Sequence, residues 1–384
     1  MTISTKKFQT RTILKDRKNP SSEKYWPVAL DIGYSAVKGF SPNRIFSFPA
    51  YASKIHGTLL DFAAAKPDEI LYRDERGETW YVGASAQSMI ESKKYSESEL
   101  SLFGRHRYLS PMFLVIARVG IALSMLENSF GSPEEKSIFL QTGLPPAYMK
   151  EDAKVLREVL TGMHQFQIKV GGGKWTSIKF TLTKDSIGVM PQPMGTLFSI
   201  STDKNGSFTP EANQYLTSNL MILDPGFGTL DIFNIEDRHV TSSETYDNLG
   251  MKRVLEETSK EIYNEYGEDI PVPSMQGILG TGKVKVFDPA QRKNILKPFD
   301  VLLEKSSKKI CQEVINKLDV NYGYLKGYDY LVVTGGTGAA WSEQIRESYG
   351  GILPIIAGNQ NDDLPYIFSN VRGYYMYLLG KLNQ

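Results

Sequence analysis

LDIGYSAVKGF (Leu30–Phe40) and LDPGFGTLDIF (Leu223–Phe233) are two versions of one pattern. Each has Leu-Asp-x-Gly, then an aromatic residue, two small residues, an aliphatic residue and, three positions later, a phenylalanine. Each also follows an apolar run, so the pattern predicts a strand, a tight glycine turn and a second strand. The copies begin 193 positions apart, at residues 30 and 223. This repetition predicts a chain built from two related halves.

The turn in each copy suits a phosphate group. Gly33 and Gly226 have no Cβ, so the backbone can approach an anion closely there. Successive N–H groups in such a turn form a positively polarised concavity. The hydroxyl groups of Ser35 and Thr229 would add hydrogen bonds. We therefore predict that both turns contact phosphate.

The aspartates of the two copies suit a magnesium ion. Asp31 and Asp224 come where each first strand ends. Mg²⁺ usually takes one or two protein carboxylates together with substrate phosphates and water. Two such turns, facing each other across a cleft, would hold a polyphosphate from both sides.

A third glycine-rich stretch, LVVTGGTGAAW (Leu331–Trp341), supports a nucleotide as the ligand. It places three glycines between a predicted strand and the start of a helix, where the backbone could approach a flat ring or a ribose. GGGKW and GTGKV lack the Ser or Thr that a Walker A loop requires. GGTGAAW does not fit G-x-G-x-x-G, and no G-x-S-x-G elbow is present.

Composition narrows the classes of function. A chain of 384 residues suits two or three domains, and its net charge of +1 argues against a general nucleic-acid binder. We therefore expect no direct sequence-specific binding of DNA. Cys311 is the single cysteine, which excludes an internal disulfide and fits a reducing cytoplasm. The most apolar stretch, 112–126, is too short for a membrane span and contains Arg118, so we expect no membrane association.

The order of predicted strands and helices indicates an α/β protein with two related lobes, each carrying a small subdomain. We predict a flexible basic tail at 1–26, since it is rich in Lys and Arg and has little apolar periodicity. The predicted domains are 27–218, with an inserted subdomain at about 46–106, and 219–362, with a small helical subdomain at about 267–297. A C-terminal helix at 363–384 is expected to return to the first domain.

Five motifs together resemble a known fold. LDIGYSAVKG, FLQTGLP, LDPGFGTLD, VVTGGTGAAW and NVRGYYMYL are similar to the phosphate 1, connect 1, phosphate 2, adenosine and connect 2 motifs of the actin/Hsp70/sugar-kinase ATPase fold. More narrowly, the chain resembles the bacterial actin-like plasmid-segregation ATPases of the ParM type. TGLP, PQPMG and NVRGYY favour that branch, and the likeness covers about residues 27 to 384.

The resemblance implies an ATPase that binds its nucleotide with Mg²⁺ in the cleft between the lobes, with GTP left open as an alternative to ATP. It implies head-to-tail filaments of the protein itself, which form with ATP and disassemble after hydrolysis. These filaments would move plasmid DNA in the cytoplasm through a DNA-binding adaptor. The alternatives are a small-molecule kinase of the same fold, an Hsp70-like regulator and a cell-shape filament on a membrane.

The resemblance also implies roles for individual residues. Asp31 would hold Mg²⁺ through water, and Asp224 would orient the attacking water or the metal. Phosphate contacts would come from Gly33, Tyr34, Ser35 and Lys38 in the first copy and from Gly226, Phe227, Gly228 and Thr229 in the second. The residues expected against the adenosine are Gly335, Gly336, Thr337 and Gly338.

One position departs from the ParM pattern. ParM-like proteins have an acidic residue soon after the connect 1 Leu-Pro, where it helps to polarise water. Here GLPPAYMKED has no acidic residue until Glu151. Either Glu151 serves from a slightly different place or Gln141 does, as a glutamine does in actins. Both assignments remain open at the level of the sequence, and hydrolysis could be slow.

Overall fold

The computed structural model of the protein describes residues 5–56, 65–89 and 107–384. Within this part of the chain two compact units are present, which we call unit I and unit II. Unit I comprises 11–56, 65–89, 107–214 and 358–384, and unit II comprises 5–10 and 215–357. Strands and helices alternate in both units, which confirms the α/β class. The chain passes between the units at 214/215 and 357/358, beside the predicted boundaries at 218/219 and 362/363.

The strands of the described residues fall into four sheets. Their bounds are β1 (Ile13–Asp16), β2 (Tyr25–Ile32), β3 (Ala36–Ser41), β4 (Arg44–Pro49), β5 (Ala52–Lys54), β6 (Ile70–Arg73), β7 (Thr79–Val82), β8 (Ser137–Leu144), β9 (Gly162–Val170), β10 (Thr176–Leu182), β11 (Ile187–Pro191), β12 (Leu220–Pro225), β13 (Thr229–Glu236), β14 (His239–Asp247), β15 (Lys283–Asp288), β16 (Lys293–Pro298), β17 (Tyr330–Val333) and β18 (Ile355–Ala357).

The helices lie between these strands. Their bounds are α1 (Ala84–Ser88), α2 (Pro111–Met125), α3 (Met149–Leu160), α4 (Gln192–Ser201), α5 (Ala212–Thr217), α6 (Met251–Tyr266), α7 (Val272–Ile278), α8 (Asp300–Tyr322), α9 (Gly335–Tyr349) and α10 (Ser369–Leu382). Short 3₁₀ turns occur at Thr5–Phe8, Arg107–Leu109, Pro146–Tyr148, Lys184–Ser186, Gly323–Leu325 and Tyr366–Phe368. Among the residues described, no helix is both long and apolar enough to cross a membrane.

The main sheets of the two units have the same topology. The order is β1-β4-β3-β2-β8-β11 in unit I and β14-β13-β12-β17-β18 in unit II. In unit I, β2, β3 and β4 form an antiparallel meander, while β8 pairs parallel with β2 and β11 parallel with β8. In unit II, β12, β13 and β14 form the meander, and β17 and β18 are the parallel strands. The predicted relation between the two halves is thus confirmed, with β1 as an addition to unit I.

The central strand of each sheet is buried along nearly its whole length, as expected for a strand covered on both faces. In unit I, Leu30 belongs to the core cluster that includes α2, while Ala29 points into the cluster formed with α10. Helices α4 and α10 pack closely because Gly373 has no side chain: a Cβ there would lie 1.6 Å from the carbonyl oxygen of Gly195. This packing fixes α4, whose first residue contacts the site described below.

The predicted flexible tail at 1–26 is wrong for the described residues 5–26. Thr5–Phe8 forms a 3₁₀ turn on unit II, where Phe8 is buried in the core and Thr5 Oγ1 donates a hydrogen bond to Leu279 O at 2.7 Å. Further along, β1 pairs antiparallel with β4, and Arg44 Nε donates to Asp16 Oδ1 at 2.7 Å. The segment needs no apolar periodicity, because Phe8 anchors its start and backbone pairing with β4 holds Ile13–Asp16.

The small sheet of unit I is larger than the predicted insertion at 46–106. Strands β6 and β7 form an antiparallel hairpin around the sequence DERGE, with Arg73 opposite Thr79. However, β4 belongs to the main sheet, and the small sheet has the order β10-β9-β6-β7-β5. The later hairpin β9–β10 therefore completes it. The parts of the prediction at 57–64 and 90–106 lie outside the described residues.

The predicted helical subdomain at 267–297 is only partly helical. It contains α7, but β15 and β16 then form an antiparallel hairpin. The sequence KVKVFD alternates between exposed lysines and the buried Val284, which is the period of a strand with one covered face. That alternation is the signal that a helical assignment overlooks.

Replacing Phe8 by Ala tests whether the N-terminal segment is part of the folded protein. Because Phe8 is 5% exposed in the core of unit II, we expect Phe8→Ala to lower the free energy of unfolding by about 3 kcal/mol. Thermal and denaturant unfolding would measure the loss, with the exposed neighbour Lys7→Ala as the matched control. Equal stability of the two variants would mean that the N-terminal segment is a flexible tail after all.

Candidate functional site

The turn between β2 and β3 is closed by its first glycine. Gly33 N–H donates a hydrogen bond to Ala36 O at 2.9 Å, and Ala50 N–H donates to Ser35 O at 2.9 Å. A Cβ on Gly33 would lie 3.0 Å from Ala36 O and 3.1 Å from Lys38 Nζ. Glycine therefore allows the turn to close directly beside a lysine ammonium group.

The turn between β12 and β13 closes in the same way. Gly226 N–H donates to Thr229 O at 2.8 Å, which matches the bond from Gly33 to Ala36. The start of α6 supports this turn, since Lys252 N–H donates to Phe227 O at 2.8 Å. The first glycine N–H of each turn is thus used within the turn, so the phosphate contacts expected of Gly33 and Gly226 would not come from these N–H groups.

Asp31 is buried and lies between two donors. Lys38 Nζ lies 2.8 Å from Asp31 Oδ2, and Gln192 Nε2 donates to Asp31 Oδ1 at 3.2 Å. The strand register places Lys38 opposite Asp31, which accounts for the ion pair. Gln192 is the first residue of α4, and its role was not predicted. Its only sequence signal is its place in PQPMG.

Asp224 faces a second carboxyl group rather than a lysine. The register of β12 and β13 places Asp231 opposite Asp224, at the position that Lys38 occupies in the first hairpin. Asp231 is 1% exposed and accepts a hydrogen bond from Thr245 Oγ1 at 2.7 Å. Burial, and next the charge of Asp224, raise the pKa of Asp231 well above its ordinary value. Sequence reasoning missed Asp231, although comparison of the two copies would have singled it out.

This pair of carboxyl groups fits a divalent cation. Burial and mutual repulsion disfavour ionisation of both carboxyl groups at once, and a divalent cation would offset that repulsion. Among the described residues, no group of three or more His, Cys, Asp or Glu side chains could hold a metal ion. A cation at Asp224 would therefore take its other ligands from water or from a bound phosphate, as Mg²⁺ commonly does.

The third glycine-rich stretch lies against the second turn. Strand β17 ends at Val333, and the glycines form the first turn of α9 rather than a loop before it. Gly335 has φ of 75°, and a Cβ there would lie 2.5 Å from Asp224 Oδ1. Thr337 Oγ1 donates to Gly226 O at 2.7 Å. Unit II thus brings together Asp224, the turn between β12 and β13, and the glycine-rich start of α9 with its N–H groups.

The two candidates for polarising water occupy different places in unit I. Gln141 lies on β8 opposite Ala29 of β2, so it shares a sheet face with Asp31, two residues further along. It is 3% exposed, and its Nε2 donates to Thr142 O at 3.1 Å. Glu151 lies in the first turn of α3 and is exposed.

A buried arginine beside the first turn was also missed. The guanidinium group of Arg107 donates to Ile32 O and lies over the Tyr34 ring, 4.5 Å from its centroid. Arg107 is 8% exposed, so it adds a positive charge that water screens little. Arg107 lies 75 positions after Ile32 in the sequence, and no local motif marks it.

Known proteins share this architecture. Residues 29–195 match the family of actin-like proteins, N-terminal domain. Over 93% to 94% of the chain the fold is similar to that of ParM proteins, which confirms the resemblance predicted from the motifs as a likeness of fold. No curated protein sequence matches the chain.

Three solved structures illustrate the likeness. A non-polymerisable quadruple mutant of pCBH ParM aligns with a TM-score of 0.70 and 20% identity, over 93% of this chain and 99% of that one. A 15-stranded ParM filament from Clostridium botulinum gives 0.67 and 20%, over 94% and 99%. An archaeal actin homologue in complex with ADP gives 0.61 and 16%, over 92% and 99%.

Gly335→Ala tests the contact between the third glycine element and Asp224. The methyl group would occupy a left-handed backbone position and press on Asp224, so we expect a loss of about 1–3 kcal/mol in the free energy of unfolding. Gly327→Ala is the control, because a Cβ there meets nothing within 4 Å. Chemical denaturation of both variants is the measurement, and equal stability would mean that Asp224 is not held in this position.

Proposed function

We propose that the protein is an actin-like ATPase whose filaments form with ATP and come apart after hydrolysis, and that these filaments segregate plasmid DNA. The observation that carries the proposal is the pair of matching glycine hairpins, each closed by the same hydrogen bond in sheets of the same topology. ParM is named in the solved structures with this fold, and one of them is a filament. The proposed site of action is the cytoplasm.

In this proposal one nucleotide uses residues of both units. The two glycine turns, residues 33–35 and 226–229, contact its phosphates, while the N–H groups of Gly33 and Gly226 close the turns. Lys38 supplies a positive charge at the first turn, and Arg107 adds a second. The first turn of α9, with Gly335, Gly336, Thr337 and Gly338, lies against the adenosine. The proposed nucleotide is ATP, and GTP is the alternative.

Asp31 and Asp224 are the residues that would hold Mg²⁺, and the bound ion would neutralise the charge that develops on the phosphates. Asp224 also orients the attacking water, assisted by Asp231 from the opposite strand. Either Glu151 or Gln141 polarises that water from unit I. Gln192 and Lys38 hold Asp31 in place by hydrogen bonds to its two oxygens.

The link to DNA is expected to be indirect. The net charge of +1 does not support general binding of nucleic acid by the protein itself. The proposed partners are therefore further copies of the chain, arranged head to tail, and a DNA-binding adaptor. A head-to-tail contact that does not close into a ring produces an open filament.

Light scattering on addition of Mg-ATP, with phosphate release followed in the same sample, tests the proposal. A rise in scattering that decays as phosphate accumulates is the expected result. Phosphate release without scattering over a wide range of protein concentration would contradict filament formation. Turnover that depends strongly on an added sugar or acid would indicate the kinase alternative instead.

Asp224→Ala tests hydrolysis at saturating Mg-ATP, where the weaker nucleotide binding expected of this variant is compensated. We expect its filaments to form with ATP but to persist, with phosphate release at least about tenfold slower, because water is no longer oriented. Asp269→Ala, which removes an exposed carboxylate from the same unit, is the control and should behave as wild type. Prompt disassembly of the Asp224→Ala filaments would contradict the assigned role.

A further inference from the structure

The hairpin β15–β16 of unit II has one covered face and one open face. On the covered face, Val284 is 2% exposed and belongs to the core of unit II, with Val286 packed against it. The strand register assigns the opposite face to Lys283, Lys285, Phe287, Asn294, Leu296 and Pro298. We call these six residues the hairpin face.

Two large apolar side chains are exposed on the hairpin face. Phe287 is 56% exposed and Leu296 is 64% exposed. Phe287 lies opposite Asn294, and Leu296 lies opposite Lys285, so the two are diagonal neighbours on one face. Adjacent exposed apolar side chains with a polar rim are typical of a surface that another molecule covers.

The same hairpin concentrates positive charge. From 283 to 298 it carries five basic residues and one acidic residue, a net charge of +4, whereas the whole chain has +1. The basic residues are Lys283, Lys285, Arg292, Lys293 and Lys297. An occupant of the hairpin face is therefore expected to be acidic and partly apolar.

The chain itself offers such a surface in unit I, on the loop between α2 and β8. Residues 127–135 contain Glu127, Glu134 and Glu135 and no basic residue. All three glutamates are exposed, and Phe130 among them is 43% exposed. We call residues 127–135 the acidic loop. It has the complementary charge and an aromatic side chain of its own.

Hydrogen bonds from two asparagine side chains hold the acidic loop in place. Asn43 Nδ2 donates to Leu126 O at 3.0 Å and to Gly131 O at 2.7 Å. Asn128 Nδ2 donates to Asn43 O at 2.9 Å, and Asn128 Oδ1 accepts from Phe130 N–H at 2.8 Å. A fixed loop that presents an aromatic side chain loses little conformational entropy when it binds.

We propose that the hairpin face of one copy docks against the acidic loop of a second copy, and that this contact joins successive subunits. The proposal rests on the proposed function, since it names the surfaces through which that function assembles. Phe287 and Leu296 supply the apolar centre of the contact, and the lysines supply its charged rim. The two surfaces belong to different parts of the chain, so the contact is heterologous and repeats from copy to copy.

Charge reversal with rescue is the decisive test. We expect K283E/K285E and E134K/E135K each to raise the critical concentration for Mg-ATP assembly at least about tenfold. A protein that carries all four substitutions should assemble within about threefold of wild type, because the opposed charges are restored. The control K260E/K326E changes the net charge equally at exposed lysines outside the hairpin and should leave assembly unchanged.

A second pair of variants tests the apolar centre without altering charge. Phe287→Ser with Leu296→Ser should also raise the critical concentration at least about tenfold, while the thermal unfolding temperature stays near wild type, since both side chains are exposed. Nucleotide affinity of the unassembled variants should be unchanged. Val320→Ser, at an 82% exposed position of α8, is the matched control.

The outcomes separate the two proposals. If wild type does not assemble with Mg-ATP, the proposed function fails and the docking fails with it. If wild type assembles and the hairpin variants do so equally well, the docking alone is wrong. Failure of the fourfold variant to assemble, while it folds and binds nucleotide, would also overturn it. So would normal assembly of K283E/K285E with loss of binding to double-stranded DNA, because the hairpin would then be a nucleic-acid surface.

Discussion

One hydrogen bond, made twice, determines where the candidate site lies. It runs from Gly33 N–H to Ala36 O in unit I and from Gly226 N–H to Thr229 O in unit II. Each bond ends a buried central strand and reverses the chain into its antiparallel neighbour. The aspartate two residues before each glycine is thereby placed at the strand end. Without this turn, neither Asp31 nor Asp224 would face its cross-strand partner.

The two hairpins share a backbone but differ in electrostatics. The position opposite the aspartate is Lys38 in unit I and Asp231 in unit II. The first hairpin therefore contains an ion pair, and the second contains two buried carboxyl groups, one with a raised pKa. The scaffold is shared, and this difference puts an ammonium group beside the first carboxylate and a second carboxyl group beside the other. A magnesium-bound polyphosphate would need both kinds of charge.

Local patterns in the sequence predicted the features that depend on neighbouring residues. The two hairpins, the strand before Gly335 and the α/β class all follow from such patterns. Gln192 and Arg107 were missed because tertiary packing alone brings them to Asp31 and Tyr34. The N-terminal segment was misread for a related reason: its contacts, such as that of Phe8, are with residues far along the chain. The helical prediction for the region of β15–β16 was a different error, since the alternation of polar and apolar residues that marks a strand was present in the sequence.

The central claim is that one nucleotide uses both hairpins. Titration calorimetry with Mg²⁺ and a non-hydrolysable ATP analogue tests it most directly, on wild type and on the variants Asp31→Asn and Asp224→Asn. The account predicts one site per chain, with affinity at least about tenfold weaker in either variant. Two independent sites, or an affinity that one of the substitutions leaves unchanged, would contradict it.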